Sequence, residues 1–227
     1  MTERNESVGV DRLIAELTAD AKPVKRLRAP SIRAFEWLIV VGAIALAAIG
    51  AFADLRVFVA RASDPRLAVE LAATLITGIF AVIAAFQLSM PDRPRRWMWL
   101  PLPPFLVWIA ASGYQCYRNW IIQGPNGWEI GESADCLQFI LLTGIPVAIA
   151  LLIALRRALP LDPLRVAMVG GLGVAAISAF VLQFFHPFDV TVMDLAVHLV
   201  AIAVVVGVAG LAERIADVRS AGEARLG

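Results

Sequence analysis

The sequence predicts an all-α fold, a six-helix transmembrane bundle with a short cytoplasmic N-terminal amphipathic helix. Hydrophobic residues make up 59% of the 227 positions, and the mean hydropathy is +0.75. A soluble domain is roughly 45–50% apolar, so the excess implies a second, apolar solvent. The apolar residues also fall into six runs near the ~20 residues that a helix needs to cross a hydrocarbon core. Charged residues, 17% of the chain, gather before, between and after these runs.

The first run is Phe35–Ala53. The second, Leu67–Met90, is interrupted by Glu70, Thr74, Thr77 and Gln87. The third, Trp97–Cys116, contains Pro101, Pro103 and Pro104, so its early part is expected to be kinked or irregular. The fourth is Leu137–Leu155, the fifth Val166–Phe185 and the sixth Val190–Leu211. No signal-peptide pattern precedes Phe35, and the first span is expected to act as its own insertion signal. Trp37, Trp97, Trp99, Trp120 and Trp128 lie near predicted span ends, where amphipathic rings favour the interface.

Loop charge orients the spans. With the N-terminus inside, the cytoplasmic loops 1–34, 91–96, 156–165 and 212–227 hold 16 of the 20 Lys and Arg residues. The opposite loops 54–66, 117–135 and 186–189 hold the other 4, which fits the positive-inside rule. A re-entrant third segment would place the basic 156–165 loop outside, so six spans are expected. The chain thus divides into a cytoplasmic segment (1–34), a six-span domain (35–211) and a cytoplasmic tail (212–227). Gly170, Gly171, Gly173, Ala175, Ala176 and Ser178 give the fifth span a small-residue face, expected to serve packing within the chain rather than a dimer contact.

Three regions outside the hydrocarbon core carry candidate function. Val10, Leu13, Ile14 and Leu17 follow the i, i+3, i+4, i+7 spacing of one helix face, opposite Asp11, Arg12, Glu16 and Asp20. Pro23 ends this helix. Its polar face is mixed in charge, whereas Lys22, Lys25, Arg26 and Arg28 cluster towards the first span. That pattern favours a partner groove or packing on the chain itself over a membrane-surface helix. Cys116 and Cys136, the two cysteines of the chain, bracket the outer loop 117–135. A structural disulfide and a redox- or metal-responsive thiol pair are both open readings. His186 and His198, with Asp189 and Asp194, form a candidate outer polar cluster in which His186 is a candidate metal ligand. Hydrogen-bonded packing is the commoner role for such a histidine.

The run Asp11-x-Leu13-Ile14-x-x-Leu17-x-x-Asp20-x-x-Pro23-Val24-x-x-Leu27, six spans, two cysteines flanking an outer loop and a His after the fifth span together resemble the NrsF-type family. Its members are negative regulators of sigma F, bacterial membrane anti-sigma factors for extracytoplasmic-function sigma factors. The resemblance spans essentially the whole chain. It implies a multi-pass protein of the bacterial inner membrane with both termini cytoplasmic and no cofactor. The sigma factor would be held by Val10, Leu13, Ile14, Leu17, Asp20, Pro23, Val24 and Leu27, without direct contact to nucleic acid. Cys116 and Cys136 would sense a heavy-metal or oxidative signal. That signal would reach the N-terminal segment through the first span and the 91–96 and 156–165 loops, with Pro101, Pro103, Pro104 and Pro146 as flexible points. The chain departs from the family pattern in carrying Pro187 after His186, where many relatives have a cysteine, so a metal site using that thiol is not expected.

Two other functions fit the sequence less well. A small transporter or channel would bring polar groups together at the midplane, whereas these span centres are almost wholly aliphatic. A membrane enzyme would show a catalytic constellation at one depth, and none is visible.

Overall fold

The computed structural model describes residues 12, 15, 18–19, 27–123, 130–185, 199–201, 203–212 and 214–215. Every regular element among them is helical: α1 (Pro30–Phe52), α2 (Leu55–Arg61), α3 (Pro65–Leu88), a 3₁₀ turn (Arg95–Trp99), α4 (Leu102–Gln123), α5 (Ile130–Arg156), α6 (Pro163–Leu182) and α7 (Leu199–Ala212). Arg12, Ala15, Thr18 and Ala19 of the predicted amphipathic segment are also helical and exposed. The rest of that segment lies outside the described residues.

Local chemistry sets the helix starts. Proline stands in the first turn of α1, α3 and α6, where no backbone N–H is needed and φ is already helical. Asp64 caps α3 by accepting from Arg66 N at 2.9 Å, and Asp162 caps α6 by accepting from Arg165 N at 3.2 Å. Asp162 also pairs with the Arg165 guanidinium at 2.9 Å.

α3 and α6 form an antiparallel pair at the centre. In lipid there is no hydrophobic force between helices, so association rests on close packing. A Cβ on Gly78 would lie 2.7 Å from Ile177 Cγ1, and one on Gly173 would lie 3.0 Å from the Val82 backbone nitrogen. Only glycine allows the two backbones to approach this closely. The small-residue face of α6 is thus used within the chain, as expected. Gly170 meets Leu151 and Leu155 of α5, and Gly171 meets Val206 and Ala209 of α7. Trp108 of α4 packs on Ala73 of α3 and on Ala176 and Ala179 of α6. α1 is peripheral: 6% of its apolar window is buried, against 61% for α6. Buried hydroxyls bond to their own helix, Thr74 Oγ1 to Glu70 O at 2.6 Å and Thr77 Oγ1 to Ala73 O at 2.7 Å.

Among the described residues four helices, α1, α3, α6 and Leu137–Arg156 of α5, are long and apolar enough to cross a membrane, against the expected six. The expected third span is a 3₁₀ turn followed by α4, whose second half carries Gln115, Arg118 and Asn119 and is too polar to qualify. Its prolines do not kink a helix; Pro103 and Pro104 occupy the first turn of α4, where their missing N–H is harmless. The expected sixth span is described only as the short apolar helix α7. Two further corrections lie in the predicted outer loops. Asp54 caps the unpredicted helix α2, accepting from Arg56 N at 3.0 Å. α4 runs past Cys116 to Gln123 and α5 begins at Ile130, before Cys136, so each cysteine lies within a helix rather than at its end.

Replacing Gly173 by Ala should destabilise the protein by about 1–3 kcal/mol, because the Val82 backbone cannot yield. Gly42 of α1 stands in open space, and a Cβ there would meet nothing within 4 Å. It should accept Ala with a gain of about 0.5–1 kcal/mol. Denaturation of the two purified variants in detergent, read by circular dichroism, checks the opposite signs.

Candidate functional site

The antiparallel arrangement sorts the chemistry of the chain to two ends of the bundle. At one end lie the start of α1, the close of α3, the 3₁₀ turn, the close of α5, the start of α6 and the close of α7. This basic end carries Arg28, Arg33, Arg93, Arg95, Arg96, Arg156, Arg157, Arg165 and Arg214. Most of them are exposed. Arg28 pairs with Glu36 across the coil that enters α1, and Arg93 lies 3.8 Å from Asp92.

Arg33 is half-buried and reaches two other helices. Its Nη2 donates to the carbonyl of Ala154 in the last turn of α5, and its guanidinium lies 5.2 Å from the ring centroid of Phe86 in the last turn of α3. Carbonyls in a helix's last turn lack intrahelical partners and carry the negative end of its dipole, so a cation there is favoured. The loop that follows does not serve Ala154: Ala158 N donates to Leu155 O and Leu159 N to Arg156 O. In the same way Arg156 Nη2 reaches Ala212 O at the close of α7, at 3.4 Å.

The opposite end carries the cysteines. Cys116 lies in α4 and Cys136 in α5; for both, the helical backbone alone is described. α4 packs on α3 and on α6, whereas α5 packs on α6. One turn before Cys116, Ser112 Oγ donates to Glu70 Oε1 at 2.7 Å, and both residues are buried. This polar pair joins α4 to α3 within the apolar bundle. Arg66 adds a second tie, its guanidinium 5.8 Å from the Tyr114 ring centroid. Phe139, one turn after Cys136, meets Phe185 at 5.3 Å, and Phe58 of α2 stacks on Phe184 at 4.3 Å. The helices that carry the cysteines are therefore firmly seated on their neighbours.

Of the other predicted site residues, Leu27 is exposed in the coil before α1. Val10, Leu13, Ile14, Leu17, Asp20, Pro23, Val24 and His186 lie outside the described residues, as do His198, Asp189 and Asp194. No cluster of three or more His, Cys, Asp or Glu able to hold a metal occurs among the described residues. Sequence reasoning missed Arg33 and Ser112. Arg33 is visible there only as one more cytoplasmic charge, and nothing in the spacing marks Ser112 as the partner of Glu70, which is 42 residues away.

Residues 17–216 match the family model described as NrsF, negative regulator of sigma F. The matched stretch includes both cysteines and His186, and it begins after Val10, Leu13 and Ile14. No curated protein and no solved structure matches the chain.

Ser112→Ala should cost about 1–3 kcal/mol, since it removes a donor from a buried carboxylate. In a Glu70→Leu background the same change should cost far less. A double-mutant cycle on the unfolding free energy checks the coupling.

Proposed function

The chain belongs to the family of negative regulators of sigma F, and on that premise we propose that it is a membrane-bound anti-sigma factor. It sequesters an extracytoplasmic-function sigma factor through its N-terminal segment, residues 1–34, and releases it on a heavy-metal or oxidative signal at the opposite face. The observation that carries this reading, beside the family match, is the sorting of charge. The N-terminal segment joins the bundle at the end where the arginines collect, and the cysteines stand at the other. By the positive-inside rule the basic end is cytoplasmic, where a sigma factor is found. Both termini are then cytoplasmic in a bacterial inner membrane. In this reading α4 returns the chain from the basic end to the cysteine end beside the four strongly apolar helices.

The exterior supports a lipid solvent. Ile44, Leu46, Leu142 and Ile153 are all more than half exposed, a surface that would be a liability in water. In this reading Val10, Leu13, Ile14 and Leu17 supply an apolar stripe for a groove on the sigma factor, and Asp20, Pro23, Val24 and Leu27 continue the contact towards the first span. Cys116 and Cys136 form or lose a bond, or take up a soft metal, on two helices that share α6 as a neighbour, α4 also packing on α3. A disulfide between them would tie the α3 side of the bundle to the α6 side. A signal that changes that tie has a differential effect on two arrangements of the bundle, which release requires. The chain regulates by binding, with no catalysis and no cofactor. A transporter is less well supported: the buried Thr74 and Thr77 hydroxyls and that of Thr143 are each satisfied by their own helix backbone and offer no polar track.

Deleting residues 1–28 from the full chain should abolish co-purification of the sigma factor and raise its target transcription to the uninhibited level. Membrane insertion should persist. A chain that inserts and still retains the sigma factor contradicts the reading. Cys116→Ser should lose induction by cadmium or oxidant; wild-type induction would remove the thiol from the mechanism.

A further inference from the structure

We infer that Arg33 is a positioning residue, a clasp that fixes the root of the N-terminal segment to the close of α5. Its regulatory meaning rests on the proposed anti-sigma reading, whereas the clasp itself rests on geometry alone. Arg33 stands only a few residues after Leu27, the last residue of the tether motif. Its guanidinium makes two contacts on two different helices, the α5 carbonyl of Ala154 and the α3 ring of Phe86. The next residue, Ala34, is 1% exposed and belongs to the main core. Beyond this point Trp37, Leu38 and Ile49 pack inwards, but Phe35, Ile39, Val40, Ile44 and Leu46 are exposed, and a cavity of about 460 Å³ opens between α1 and α3. The root of the tether is therefore held at Pro30–Ala34, where Arg33 supplies the side-chain contacts to α5 and α3.

The clasp is built to be conditional. A planar fork can bond a carbonyl and stack on a ring at once, which an ammonium cannot. Two features oppose it. The guanidinium is partly desolvated, its Nη1 buried with no partner among the described residues, and the like charge of Arg157 acts on it. The helix that holds Arg33 also carries Cys136, 18 residues before Ala154 and so about 27 Å away along the axis. Pro146 lies between them inside α5. Its missing N–H breaks one rung of the helix and makes a flexible point there. A shift of the outer part of α5 can then move the Ala154 carbonyl away from Arg33 and free the tether, without passing through α1.

The test uses the full chain in membrane vesicles with the basic end accessible. It measures the rate of tryptic cleavage at the Lys22–Arg28 stretch together with sigma-dependent transcription in cells. Arg33→Ala should speed cleavage about tenfold, the size expected for loss of a hydrogen bond from a charged group, and should raise transcription without a signal. Arg93→Ala, which removes an equal charge from the same end, should behave as wild type. Unchanged cleavage in Arg33→Ala, or equal acceleration in Arg93→Ala, overturns the clasp. Should Arg33→Ala fail to insert, Arg33→Lys keeps the charge and should still speed cleavage; a wild-type rate there also overturns it. Faster cleavage with no transcriptional change, in a protein whose 1–28 deletion is equally silent, upholds the clasp and contradicts the anti-sigma reading.

Discussion

The close approach of α3 and α6 is the constraint on which the other helices depend. At Gly78 and Gly173 each helix presents bare backbone to the other, and a single added methyl would collide. In a lipid solvent such contact is the main source of attraction between helices, since apolar surface gains nothing by leaving apolar surroundings. Once the pair is set, α4 leans on both helices through Trp108, α5 and α7 fill the remaining α6 face, and α1 lies outside against α3. The peripheral place of α1 follows from its composition. It has no small-residue face matched to a partner, so most of its surface stays exposed.

In the middle of this bundle the buried hydroxyls of Thr74 and Thr77 bond to their own helix, and polar contacts between helices appear towards its ends. Near the cysteines, a buried carboxylate and a hydroxyl, Glu70 and Ser112, join α3 to α4. At the basic end, guanidinium groups close the open carbonyls of helix termini, Arg33 on α5 and Arg156 on α7. In an apolar surrounding an unmade hydrogen bond costs more than in water, so these few contacts fix the relation between helices that are otherwise smooth. In the proposed relay an event at one end would be carried by whole helices, through rigid elements with a small number of discrete joints.

The apolar helices are legible in the sequence because hydrophobic runs of the right length have few alternatives. The starts of α3 and α6 can be read from Asp-Pro pairs, and the small-residue face of α6 shows its internal use. Periodicity says less where apolar and polar residues mix. The 117–135 loop is over-drawn because Arg118, Asn119, Glu132 and Asp135 look like loop residues, yet helix continues through both flanks. α2 escapes notice because seven residues give no periodic signal, and its place depends on the distant Phe184. Pro103 and Pro104 look like breakers, although in the first turn of α4 they are compatible with its start. Arg33 and Ser112 are invisible as sites for one shared reason: their meaning depends on partners on other helices, which no local pattern encodes.

The proposed relay depends on the two ends facing opposite sides of one membrane. Sided thiol labelling measures that directly. With the protein in intact, reduced spheroplasts, a membrane-impermeant maleimide should modify Cys116 and Cys136. The variant Ala29→Cys, in a chain lacking the native pair, should react only after the membrane is opened. Labelling of position 29 from outside, or of the native cysteines only after permeabilisation, would contradict the relay.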